Sequence, residues 1–260
     1  MQQPPLVLEK IGPIARLTMN RPRAMNAFDS DMLDAFGAQL SALAVDDEVR
    51  VLLLTGAGTA FCAGADLKQA RASDPKPGEP DFLERTRLVL EQLAAFPKPT
   101  IAVLNGITLA GGLEIALCAD LIIAAETATI GDAHANFGVF PGGGGAAVLP
   151  RVLPRNAALY LLFTGKALPA SALQALGLVS EVHPPDTLMD AALDLCRLIA
   201  AKSPLALRRI KEVARASADK TRGDALLHEQ VMLRAHLRSA DLAEGLRAFA
   251  EKRPPRFVGR

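Results

Sequence analysis

Short apolar runs of strand length alternate with segments of helical period through the first half of this chain, and that alternation restricts its fold more than any other feature. Ile14–Met19, Val49–Leu54, Ile101–Leu104 and Leu121–Ala125 are β-branched or Leu-rich runs bounded by turn residues, which marks them as strands. Between them, Asp29–Leu43 places Met32, Phe36, Leu40 and Leu43 at helical spacing. Phe82–Phe96 repeats that spacing until Pro97 and Pro99 stop it, and another helix is expected from about Gly111. This order predicts an α/β domain with covered sheets.

After Pro154 the pattern turns mostly helical. Helices are expected over Ala157–Phe163, Ala170–Leu176, Thr187–Ala201, Leu205–Ala216, Asp224–Leu237 and Leu242–Glu251, with one strand, Leu178–Val182, among them. Residues 72–80, ASDPKPGEP, read as a loop. A length of 260 residues suits one large domain, or one with a helical appendage. Half the residues are hydrophobic but only 4% are aromatic, so aliphatic side chains must fill the core.

Several function classes are disfavoured. A net charge of +1 offers no basic excess for nucleic acid. Basic residues do thicken toward the end (Arg208, Arg209, Lys211, Lys252, Arg253, Arg256, Arg260); they fit a solvated helix face or a rim for phosphates. Cys62, Cys118 and Cys196 are odd in number and widely spaced, unlike a disulfide framework or zinc site. The opening MQQPPLVLEK is too polar for a secretory leader. The most apolar stretch, Leu113–Ala125, is interrupted by Glu114 and Asp120 and is too short to span a bilayer. A soluble, cytoplasmic protein is expected.

Gly56-Ala57-Gly58 follows a strand, but Phe61 stands where a dinucleotide loop needs its third glycine, so a tight turn is the simpler reading. Two other segments carry more. Phe61–Leu67 (FCAGADL) and Asn105–Glu114 each follow a strand, are rich in small residues, and lead toward a helix. Small residues let a ligand approach the backbone, and the first N–H groups of a helix lack intrahelical acceptors. Two such donors converging on one carbonyl oxygen make an oxyanion hole.

Five stretches together resemble the crotonase (enoyl-CoA hydratase/isomerase) family: NRPRAMNAF at 20–28, LTGAGTAFCAGADL at 54–67, KPTIAVLNGITLAGGLEIALCADLIIAAETATIG at 98–131, FGVFPGGGG at 137–145 and EGLRAFAEKRPPRF at 244–257. The resemblance implies an α/β spiral of ββα units over 1–200 and a C-terminal helical oligomerisation region over 201–260, building a homotrimer or a hexamer of two trimers. Coenzyme A is then part of an acyl-CoA substrate, with no separate cofactor and no metal. Matched residue by residue, the oxyanion donors fall on the N–H groups of Ala65 and Gly111. Ala63, Asp66, Leu67 and Lys68 line the path of the adenine and pantetheine, and Arg23 and Ala24 resemble the entry residues for the nucleotide. Arg23 and Lys68 also fit ordinary surface charge. Phe249 and Lys252 match residues that reach a neighbouring subunit's site.

Glu114, three residues after Gly111, faces the same pocket if the helix starts there. The resemblance matches it to the carboxylate that activates water; compensation of the helix dipole is the plainer alternative. Where hydratases carry a second Glu, this chain has His134 in GDAHANFG. An imidazole serves as acid or base near neutral pH, or is a satisfied structural histidine. Asp132 and Asn136 flank it. Hydration of a 2-enoyl-CoA leads, with isomerisation, hydrolysis of a thioester or carbon–carbon bond, or a silent CoA-binding protein as rivals. The PGGGG loop is expected to give close packing or room beside the acyl group.

Overall fold

A computed structural model describes residues 4–66, 68–69 and 78–260. Residues 67 and 72–77, which fall within two of the expectations above, lie outside that range. Strands β1 (Leu6–Ile11) and β2 (Ile14–Met19) form a hairpin turned at Gly12, whose φ of +56° suits glycine. β3 (Val51–Gly56), β5 (Thr100–Leu104), β7 (Leu121–Ala125) and β10 (Glu181–His183) follow β2 in parallel, giving a sheet of order β1-β2-β3-β5-β7-β10. A smaller sheet orders β4 (Ala60–Cys62), β6 (Ile107–Leu109), β8 (Thr129–Gly131) and β9 (Leu168–Pro169).

The helices are α1 (Ser30–Ala44), α2 (Phe82–Ala94), α3 (Gly111–Leu117), α4 (Gly145–Val152), α5 (Arg155–Thr164), α6 (Ala170–Ala175), α7 (Leu188–Ala200), α8 (Pro204–Ser217), α9 (Arg222–His236) and α10 (Ala240–Ala250). Side-chain caps set several starts: Asp29, Asp81, Ser203, Thr221 and Ser239 each accept a backbone N–H from the first turn. β3 and β5 are apolar on both faces and almost wholly buried, as a covered parallel sheet requires. α7 packs across β2, β3, β5, β7 and β10, while β4 packs against β3 and β5.

The structure departs from the sequence reading in several places. β1 was not foreseen; it is an edge strand whose Glu9 pairs with Arg16 across the hairpin. The strand expected at 178–182 begins at Glu181, because the Leu178 and Val179 N–H groups bond back to the Leu173 carbonyl at the end of α6. The PGGGG loop feeds α4, which contains Pro150. Beyond the core, α8 and α9 pack on each other, and α9 has no buried residue. The tail folds back on α10: Asp241 accepts the Ser203 hydroxyl and the Val258 and Gly259 N–H groups.

Candidate active site

The first half of the site is built on a folded turn that sequence reasoning passed over. Asn26 is fully buried, with φ of +56° after Met25 at +49°. Its amide donates to the Ala57 and Ala60 carbonyls at 2.9 and 2.7 Å and its oxygen accepts the Arg21 N–H. Arg21 pairs with Asp29 at 3.0 Å and Asp66 at 3.2 Å and donates to the Ala27 carbonyl. Ala63 N–H then donates to Met25, Phe28 N–H to Gly64, and Asp66 N–H to Phe28. Phe28 and Ala65 thus pair as a parallel bridge through the Gly64 carbonyl and the Asp66 N–H, and strand alternation turns the Ala65 N–H to the opposite edge.

The second half meets it at a close junction with no room for a side chain at Gly112. Ala110 sits at φ 51°, ψ −121°, a conformation disfavoured for an L-residue, immediately before α3. Its N–H is held by the Gly131 carbonyl at 3.1 Å. A Cβ added to Gly64, itself at φ +106°, would stand 3.0 Å from Ala110 Cβ and 3.1 Å from Gly111 N. One added to Gly112 would stand 2.0 Å from the Cys62 carbonyl oxygen. Gly111 is the first helical residue, so its N–H has no intrahelical acceptor. The structure therefore brings the Ala65 and Gly111 segments together, edge to edge.

Glu114 lies one turn into α3 and is 4% exposed. Its Oε1 accepts the Gly143 N–H at 2.7 Å and the Gly145 N–H at 3.0 Å. The glycine run thus serves both the expected close packing and the anchoring of a carboxylate. A Cβ on Gly143 would strike Leu90 at 2.4 Å and Glu114 Oε2 at 2.7 Å. His134, in the 3-10 turn His134–Phe137, has a 12% exposed side chain. Its Nδ1 lies 2.9 Å from Asp132 Oδ1. Burial works against the charged ring, but the Asp132 hydrogen bond and the charges of Asp132 and Glu114 outweigh it and raise the pKa of His134.

Arg23 is exposed and Ala24 half-buried on the 3-10 turn Pro22–Ala24. Ala63 and Asp66 are half-buried, Lys68 is exposed, and Leu67 lies outside the described residues. Asn136 is turned aside, its amide donating to the Gly165 carbonyl at 2.8 Å. Phe249 is 86% exposed on α10. Asn26 and Arg21 are the residues that sequence reasoning missed; both lie inside NRPRAMNAF, and only their long-range acceptors reveal their task.

Residues 9–260 match the family described as enoyl-CoA hydratase/isomerase. The 2,3-dehydroadipyl-CoA hydratase of Escherichia coli K12 is 35% identical over 256 residues, covering 98% of this chain and 99% of that protein. The mitochondrial enoyl-CoA hydratase domain-containing protein 2 of Mus musculus is 39% identical, covering 95% and 85%. The crystal structure of an enoyl-CoA hydratase from Bacillus anthracis superposes with a TM-score of 0.94 at 32% identity, covering 98% of this chain and 100% of that one.

Proposed function

The chain belongs to the enoyl-CoA hydratase/isomerase family, and on that premise we propose that it adds water across the 2,3-double bond of an enoyl-CoA thioester. The observation that carries this reading is the buried Glu114, held by two backbone N–H groups at the meeting of the two small-residue segments. The thioester oxygen lies between the Ala65 and Gly111 N–H groups, which stabilise the enolate. Glu114 takes a proton from water as its oxygen attacks the β carbon, and His134 supplies the proton at the α carbon. Ala63, Asp66 and Lys68 line the path of the adenine and pantetheine, with Arg23 and Ala24 at the entry for the nucleotide.

The test is turnover of crotonyl-CoA and of longer 2-enoyl-CoAs with products identified by mass. A gain of one water without release of CoA is expected; no turnover at any chain length overturns the reading. The Asp132–His134 pair favours one rival, since a carboxylate-oriented imidazole also suits hydrolysis. Free CoA in the product mixture would select that rival.

The working form is a homotrimer, alone or paired into a hexamer. Supporting it, α9 exposes Leu226, Leu227, Val231 and Leu233, and a groove of about 610 Å³ beside it is lined by Ile210, Val213 and Leu226 among others. Apolar side chains grouped in this way suit burial against a second copy of the chain. Among the described residues no helix is long and apolar enough to cross a membrane.

A further inference from the structure

Asp132 is wholly buried, yet among the described residues its Oδ2 has no hydrogen-bond partner. Its Oδ1 takes the His134 ring Nδ1 at 2.9 Å and the His134 backbone N–H at 3.3 Å. Holding a buried carboxylate ionised is costly unless hydrogen bonds and a positive group compensate. Asp241 shows what a buried aspartate with a framework task looks like in this chain: both of its oxygens are occupied, by the Ser203 hydroxyl and the Val258 and Gly259 N–H groups. Asp132 lacks that satisfaction. That second oxygen lies against Gly145, whose N–H holds Glu114: a Cβ on Gly145 would stand 2.4 Å from Asp132 Oδ2 and 3.4 Å from Glu114 Oε1.

We propose that Asp132 is a positioning residue: it engages the Nδ1 edge of His134 and so commits Nε2 to delivering the proton to the carbon next to the thioester carbonyl. This rests on the hydratase reading above. In that reaction the water oxygen bonds to the β carbon and one water proton goes to Glu114. The electron pair of the double bond moves onto the thioester oxygen as an enolate. The enolate collapses by taking a proton from Nε2 of the His134 imidazolium onto the α carbon. Glu114 then releases its proton to solvent and His134 regains one, so the net addition is one water.

Among the described residues, Asp132 on its own segment and Glu114 from α3 are the charged groups that act on the ring. With Nδ1–H donated to Asp132, Nε2 is left as the nitrogen that exchanges. An asparagine at 132 keeps an acceptor of the same shape but removes the charge, so a purely structural partner would tolerate it.

The experiment is a 15N-histidine NMR titration of the whole chain, with His134 assigned among the four histidines through His134→Gln. In the wild type, His134 is expected to titrate above an ordinary histidine and, when neutral, to carry its proton on Nδ1. In Asp132→Asn the midpoint is expected to fall by about one pH unit or more. The basic limb of kcat for hydration should move down by the same amount with KM little changed. An unchanged midpoint and limb overturn the proposal. If Asp132→Asn does not fold, the wild-type tautomer decides, and a neutral ring protonated on Nε2 overturns it. A wild-type chain that hydrates no enoyl-CoA removes the hydratase reading instead, while the NMR arm still reports on the Asp132–His134 pair.

Discussion

Glu114 is held by main-chain donors rather than by side chains, which makes its chemistry separable from its structural part. A glutamine keeps an oxygen for the Gly143 and Gly145 N–H groups but has no basicity. Glu114→Gln is therefore expected to lower kcat by about 10²–10⁴-fold, the usual worth of general base catalysis, with a melting temperature close to wild type. Activity retained in that variant would send the role of base elsewhere. His134 adds a pH dependence of known sign. Its folded pKa lies above the ordinary 6.5, so protonation favours the folded chain; the contribution is whole below 6.5 and disappears as pH rises through the raised value. Glu114 and the small segments were legible in the sequence because each lies within a continuous motif. The tasks of Asn26 and Arg21 were not, because burial and partners up to 45 residues away decide them.

At the scale of elements, glycine positions set how closely α3 meets β4. An exposed helical glycine replaced by alanine ordinarily gains about 1 kcal/mol. At Gly112 the new Cβ would stand 2.0 Å from a backbone carbonyl oxygen that cannot swing away, so the clash outweighs propensity. Gly112→Ala is expected to destabilise by about 3 kcal/mol or to prevent soluble expression, measured by denaturant unfolding; a stabilised variant would contradict this packing. Long helices and the apolar strands of the large sheet were readable from period alone. The strands of the small sheet were not: β4, β6 and β8 have three residues each and β9 has two, too few for a period to register. α4 was hidden behind its glycine run and Pro150.

For the whole molecule, the large sheet buries its aliphatic core within the chain, whereas α8–α10 keep apolar side chains outside. Leu227 and Val231 stand one turn apart on α9 and are 65% and 55% exposed. The double change Leu227→Glu, Val231→Glu is expected to reduce the particle to the single-chain mass of 27.4 kDa, read by light scattering after size exclusion. A wild-type chain already at that mass would overturn the trimer. The change from α/β alternation to helices after Pro154 was visible in the sequence; which helix faces stay uncovered was not, since apolar spacing does not distinguish a core from a partner.

The anchoring of Glu114 has an evolutionary consequence. Main-chain N–H groups persist whatever side chains surround them, so the base survives drift in its neighbourhood. Phe137, Val139 and Phe140 are exposed on the segment between His134 and the glycine run, so changes there leave the anchoring of Glu114 untouched. The letters that selection must defend are the glycines at 143 and 145, where any side chain would push against Glu114 or Asp132.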